Sequence, residues 1–236
     1  MKKKISDILS DVREHVVIRD YTTFKVGGVA DYFFEAKSID ELVKAVRAAF
    51  SLEMPYFILG NGSNILFSDY GFPGLVIKNS TFNIAMMKEK SQAIVDSGVM
   101  LSPLVMKLAS NDLGGIEFLY GIPGTLGGAV YGDAGAWGSA IGDYVKNITL
   151  LENDAETGVP KIVQYETDWM EFGYRSSKLK KMQAKNNPVI LTVRLQLAQS
   201  QKEEIMRRIN VYQAQRRESQ PVGLSAGSIF KNPMPK

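Results

Sequence analysis

Two glycine-rich segments hold the residues of this chain best suited to contacting a ligand. Residues 121–138 carry seven glycines in eighteen positions, with Ile122, Leu126, Val130 and Trp137 spaced between them. A flexible linker would lack such apolar anchors. Glycine here lets backbone approach a ligand closely or take φ > 0, while the apolar residues hold the segment to a core. Exposed backbone N–H groups in such a loop make a concave anion site suited to a phosphate or diphosphate. The second segment, Gly60-Asn61-Gly62-Ser63-Asn64, lies between the apolar runs 56–59 and 65–67 and reads as strand, loop, strand. It lacks the helix that must follow a dinucleotide-binding G-x-G-x-x-G, and no G-x-x-x-x-G-K-[ST] occurs. Taken alone, Asn61-Gly62 reads equally well as a hairpin turn. Two loops of this kind in one chain favour a large phosphorylated ligand.

Composition narrows the chemistry. The chain has no cysteine, which removes disulfides, thiolate nucleophiles and Cys-ligated metals. Its single histidine, His15, is expected on the surface; one histidine excludes multi-His metal sites and argues against a His-based triad. No metal site is expected. A formal charge of +3, without a basic stripe interleaved with aromatics, argues against a nucleic-acid partner. No apolar run reaches the length of a membrane span. The basic start followed by Ile5, Ile8, Leu9 and Val12 reads as an amphipathic helix, not a signal peptide. The expectation is a cytoplasmic monomer without a membrane partner, its chemistry drawn from hydroxyls, Arg or Lys, carboxylates or a borrowed cofactor.

The elements that must position these loops follow from periodicity. Residues 30–36 and 56–59 read as strands, and Ser38 to Glu41 as a capping box opening a helix whose apolar face is Leu42, Val43, Val46, Ala49 and Phe50. Apolar runs at 65–67 and 75–77 complete a small unit over residues 1–80. A second unit, 81–200, has strands at 94–96, 145–152, 161–165 and 188–197. Its helix begins at Ser102-Pro103, read as a cap followed by proline at the first helical position. Residues 201–217 read as a helix with Ile205, Ile209 and Tyr212 on one face, and 220–233 as a polar loop. Residues 201–236 begin a third unit.

Four further groups of residues carry a resemblance. They are Thr22-Thr-Phe-Lys-Val-Gly-Gly28, the run from Leu59 to Asp69, the segment 121–138, and Phe172-Gly-Tyr-Arg-Ser-Ser177 followed by Ser225-Ala-Gly-Ser-Ile-Phe-Lys-Asn-Pro233. Together they resemble the UDP-N-acetylenolpyruvoylglucosamine reductase family, over essentially the whole chain and in the right order, and are most similar to its shorter subtype. The resemblance implies an α+β chain with a PCMH/vanillyl-alcohol-oxidase-type FAD-binding fold. Two subdomains would hold FAD, followed by the start of a substrate-binding domain. It implies reduction of the flavin by NADPH, then hydride transfer to C3 of the enolpyruvyl group of a UDP-sugar and protonation of C2. The product, UDP-N-acetylmuramate, serves peptidoglycan synthesis.

Carried onto this sequence, the resemblance implies that Gly60, Asn61, Gly62, Ser63 and Asn64 bind the FAD diphosphate. Gly121, Ile122, Pro123, Gly124 and Thr125, with Gly127 and Gly128, would lie against the flavin, flanked by Ala134, Gly135 and Gly138. Arg175 matches a catalytic arginine whose planar fork can hold the enol-acid carboxylate as negative charge develops. Ser228 matches the proton donor; because a serine hydroxyl is a very weak acid, Lys231 is the expected neighbour that assists it. Tyr174, Lys231 and Asn232 match substrate-contacting positions. Gly132-Asp133 stands where the family commonly has Met-Asn, and Trp137 where it has Tyr. An inward-pointing Asp133 would repel anionic ligands. The family also supplies a glutamate beyond Pro233, for which no residue here is a match, so weak turnover is expected of the chain as given. Two other readings remain open, a non-catalytic flavin-binding remnant and another oxidoreductase on the same FAD fold. Retention of both Arg175 and Ser228 favours the reductase.

Overall fold

A computed structural model describes residues 4–154, 156–182 and 188–233. The first part of the chain forms β1 (Arg13–Val17), β2 (Val29–Ala36), α1 (Ile39–Ser51), β3 (Tyr56–Leu59) and β4 (Phe72–Asn79), in a sheet of order β1-β2-β4-β3. Strand β1 runs antiparallel to β2, while β4 runs parallel to both β2 and β3. Helix α1 starts where expected, since Ser38 Oγ accepts the Glu41 N–H at 3.2 Å. The return bond of the capping box falls one residue early, from Lys37 N–H to the Glu41 carboxylate at 2.7 Å. Leu42, Val43, Val46 and Ala49 are buried as the periodicity requires, and Phe50 is only partly so.

This topology corrects the reading of the first glycine loop. Strands β3 and β4 are parallel, so Asn61-Gly62 is not a hairpin turn. Residues 65–67 are irregular, not a strand, although Phe67 is buried. The loop instead leaves the C-terminal end of a parallel strand, the edge at which open α/β sheets present ligand sites.

The second sheet is antiparallel throughout. It contains β5 (Ile84–Met87), β6 (Gln92–Asp96), β10 (Val145–Asn153), β11 (Pro160–Glu166) and β12 (Val189–Gln196), in the order β11-β10-β12-β6-β5. Between these strands lie α2 (Leu101–Ala109), β7 (Leu113–Gly114), α3 (Leu126–Gly132) and the small β8 (Gly135–Ala136)–β9 (Ser139–Ala140) hairpin. The one-turn α4 (Lys178–Lys181), β13 (Ala198–Gln199) and α5 (Lys202–Ser219) complete the elements. Ile205 and Ile209 of α5 are buried, and Tyr212 packs beside them.

Three local expectations change. The N-terminal amphipathic helix is a single 3-10 turn at Ile5–Asp7, although Ile5 and Leu9 are buried against α1. Helix α2 is capped at Met100, which puts Ser102 and Pro103 inside its first turn, where proline's missing N–H costs little. The second glycine segment is not continuous loop, because its middle is α3. His15 lies exposed on β1. Leu151, Val189 and Leu191 of the second sheet share a core with α1 and the first sheet. Among the described residues no helix is long and apolar enough to cross a membrane.

Candidate cofactor and active site

The loop after β3 is built to leave its amides available. Among the described residues, the backbone N–H groups of residues 60–64 donate to no protein acceptor. Two of its carbonyls are held from behind instead. Gly60 C=O accepts from Lys78 Nζ at 2.5 Å, and Gly62 C=O accepts from the Thr23 N–H at 3.1 Å. In a planar trans peptide the N–H points opposite to the C=O. The Asn61 and Ser63 N–H groups are therefore turned away from those contacts. Gly62 lies at φ 63°, and a Cβ there would stand 2.2 Å from the Tyr21 carbonyl oxygen. Five successive free amides in a tight turn fit a diphosphate.

The second glycine segment behaves differently. Gly121 N–H donates to Ser102 Oγ at 2.9 Å, Ile122 to Leu119 O, Gly124 to Ile122 O, and Gly127 to Ser97 O at 2.7 Å. Gly128 N–H is taken by Thr125 Oγ1 at 3.3 Å, which caps α3. These amides cannot also bind an anion, so the phosphate-site expectation fails for this segment. Gly127 is a packing residue, since a Cβ there would lie 2.8 Å from Ser97 Cβ. What residues 121–125 offer is surface beside the first loop. Asn61 Nδ2 donates to Pro123 O at 2.9 Å, and a Cβ on Gly60 would stand 2.7 Å from Thr125 Oγ1. The two glycine segments form the two walls of one site.

Beyond α3 the chain turns at Asp133, which takes a left-handed φ of 46° as the helix C-cap. The buried Asp133 carboxylate accepts the Gly142 N–H at 3.0 Å, a bond within the fold rather than toward a ligand. Burial pushes this carboxyl above its ordinary value, against the pull of the Gly142 amide and Arg175. Ala134 N–H closes the end of α3 by donating to Ala129 O. Gly135 belongs to β8, and Trp137-Gly138, at φ 50° and 83°, makes the positive-φ two-residue turn of the β8–β9 hairpin. Gly138 thus has a turn role, with open space around it. Trp137 stacks on Tyr212 at 5.0 Å and lies under Arg216 at 4.7 Å.

Arg175 stands at φ 55°, a strained conformation for a long side chain. Its Nη2 donates to Gly135 O at 2.7 Å, and its guanidinium lies 5.6 Å from the Tyr174 ring centroid. Among the described residues it makes no salt bridge with a carboxylate, although the buried Asp133 feels its charge. The turn that carries it is anchored by Ser177, fully buried, whose hydroxyl donates to Tyr131 O at 2.7 Å and accepts the Lys180 N–H.

The loop bearing Ser228 is exposed but tied to the first wall. Thr23 Oγ1 donates to Ser225 O at 2.6 Å, and Asn64 Nδ2 to Ala226 O at 2.8 Å and Ser228 O at 3.3 Å. Asn232 N–H donates to Tyr174 Oη at 3.2 Å, joining two of the expected substrate residues. Among the described residues no hydrogen bond links the Ser228 hydroxyl to Lys231, which is fully exposed; the segment is held through its carbonyls instead. Thr23, Lys78, Ser102 and Arg216 were not among the expected site residues. Lys78 had a signal in the sequence, a lone lysine closing the apolar run 75–77. Arg216, expected only as a basic helix end, donates to Phe118 O at 3.3 Å, and its aliphatic stem lies against Gly121.

A loop of free amides at the end of parallel strands, beside a glycine-rich segment of an antiparallel unit, fits an FAD-binding protein of the PCMH/vanillyl-alcohol-oxidase fold. Residues 30–157 match the family model described as an FAD binding domain. A solvent-stable cholesterol oxidase, 15% identical, shares this fold with a TM-score of 0.61 over 84% of this chain and 40% of its own. Much nearer is the UDP-N-acetylenolpyruvylglucosamine reductase of Thermus caldophilus, 34% identical with a TM-score of 0.76, over 94% of this chain and 76% of that one. UDP-N-acetylenolpyruvoylglucosamine reductases of Clostridium novyi (strain NT) and Alkaliphilus oremlandii (strain OhILAs) are 34% and 37% identical. They align with 99% and 92% of this chain, and with 74% and 68% of their own lengths. The chain belongs to the UDP-N-acetylenolpyruvoylglucosamine reductase family.

Proposed function

We propose that this chain reduces UDP-N-acetyl-enolpyruvoylglucosamine to UDP-N-acetylmuramate for peptidoglycan synthesis, with FAD as cofactor and NADPH as electron donor. The observation that carries the reading is the presence in one fold of a loop of free amides, residues 60–64, and a guanidinium, Arg175, that among the described residues makes no salt bridge. The amides of residues 60–64 would hold the diphosphate, and residues 121–125 would lie along the isoalloxazine. Bound FAD supplies hydride chemistry that no side chain of this protein can perform.

The remaining steps fall to the protein's own groups. Arg175 binds the substrate carboxylate through its planar fork and stabilises the negative charge that develops there. Its bond to Gly135 O fixes the direction of that fork. Ser228 delivers the proton to C2, placed by the bonds that Asn64 makes to its segment. Tyr174 and Asn232 line the sugar side, and Lys231 supplies a cation for the substrate diphosphate.

The test is anaerobic and in two halves. The purified chain should be yellow with FAD, lose that colour with NADPH, and regain it with the enolpyruvyl sugar. Ser228→Ala should slow only the second half. A folded protein that stays colourless in excess FAD would sink the reading.

A further inference from the structure

Lys78 closes β4, between β2 and β3, with Glu35 and Leu59 as its cross-strand neighbours. Its half-buried side chain crosses the end of β3 to reach the Gly60 carbonyl. Among the described residues it has no ion pair. Glu35, the carboxylate whose charge it feels, accepts instead from Ser80 Oγ at 2.7 Å. Burial pulls the lysine pKa down, and Glu35 only partly restores it. An ammonium removed from water without a counter-ion is costly, and such a cost persists where an anion offsets it. The loop that this lysine bonds is the run of free amides at residues 60–64.

The geometry also gives Lys78 a second effect. Its bond fixes the plane of the Gly60–Asn61 peptide, so the Asn61 N–H is held pointing away from Lys78. Without the lysine nothing described holds that carbonyl, and the peptide is free to turn its oxygen toward the anion.

We propose that Lys78 is a positioning residue of the diphosphate site, clamping the Gly60 carbonyl so that the Asn61 amide faces the ligand and adding positive charge from behind the loop. The inference rests on the reading of residues 60–64 as the FAD diphosphate site. It predicts that the chain's affinity for FAD carries an electrostatic component traceable to one residue that touches no ligand.

The experiment titrates apoprotein with FAD at low and high salt for the wild type, Lys78→Met, Lys78→Gln and Lys78→Arg, with thermal unfolding of each apoprotein as a control. Lys78→Met should bind FAD about tenfold more weakly at low salt, the size expected for losing a charge-assisted bond. The gap should shrink as salt rises, because screening removes the same contribution from the wild type. Lys78→Arg should restore most of the affinity and the salt response. Lys78→Gln keeps a donor for Gly60 and should recover part of the affinity with a flattened salt response. The proposal falls if Lys78→Met binds FAD like the wild type, if the loss is the same at every salt concentration, or if arginine rescues no better than methionine. Should Lys78→Met fail to fold, Gln and Arg variants with equal affinity at low salt overturn it. Wild-type protein that binds no FAD overturns the functional reading and this inference together, whereas wild-type binding unaffected by these changes overturns this inference alone.

Discussion

Asn61 and Pro123, 62 residues apart in the chain, are joined by a hydrogen bond of 2.9 Å from the Asn61 side-chain amide to the Pro123 carbonyl. Through it the edge of a mostly parallel sheet grips a loop that belongs to an antiparallel one. The two walls therefore keep a fixed spacing, and substitutions on either side have separable consequences.

The glycines show this separation. At Gly62 a side chain would meet the Tyr21 carbonyl at 2.2 Å in a left-handed conformation, so Gly62→Val should cost at least about 2 kcal/mol and abolish FAD binding. At Gly124 a Cβ would find only ordinary contacts, 3.6 Å from Leu101 and 3.8 Å from Ser63. Gly124→Val should fold normally by circular dichroism and yet bind FAD more weakly, by about tenfold, the worth of roughly ten close contacts. Unchanged affinity in the folded Gly124 variant would mean that residues 121–125 do not face the cofactor.

Arg175→Lys keeps the charge and loses the planar fork that bonds to Gly135 O. Flavin bleaching by NADPH should proceed as in the wild type. Recovery of colour on adding the enolpyruvyl sugar should slow about 100-fold, as for loss of a donor to developing charge. Stopped-flow absorbance separates the two phases. Equal slowing of both would assign Arg175 to the flavin or to the fold.

Asp133 supplies a pH signature. Burial raises its pKa in the folded protein above the value of about 3.9 in an unfolded chain. Between those two values the folded state binds more protons than the unfolded state, so this group's contribution to stability falls as pH rises through the window. Above it, the ionised carboxylate is a constant cost. Asp133→Asn retains an oxygen for the Gly142 N–H and suits the left-handed cap. It should raise Tm near neutral pH by about 2 °C, and the gain should vanish in acid below the unfolded value. A variant that is less stable at neutral pH would show that the charge is needed.

Residues with strong local signals were read correctly from the chain. Ser38 and Glu41 opened α1, the β-branched run of β12 declared a strand, and Tyr56 to Leu59 matched β3 residue for residue. The elements missed are those whose cause lies elsewhere in the fold. Strand β1 is mostly exposed and shows no alternation; it exists because β2 offers it an edge. Helix α3 contains three glycines in seven residues, each costing about 1 kcal/mol in a helix. It forms because Thr125 caps it, Leu126, Ala129 and Val130 are buried, and Gly127 must approach Ser97. The loop of free amides at residues 60–64 was marked by its glycines. The spent amides of Gly121 and Gly127 were not, because their acceptors, Ser102 and Ser97, lie many residues away in sequence.

The core beneath α1 draws on both sheets. Leu151, Val189 and Leu191 come from the antiparallel sheet, and Arg47 of α1 donates through Nε and Nη2 to Pro160 O at 3.1 and 2.9 Å. A cut near residue 80 would split that apolar mass and expose it on both pieces, so neither sheet should survive as an autonomous folding unit. On heating, far-ultraviolet ellipticity and flavin fluorescence should change together in one cooperative transition, the pigment leaving as the shared core opens.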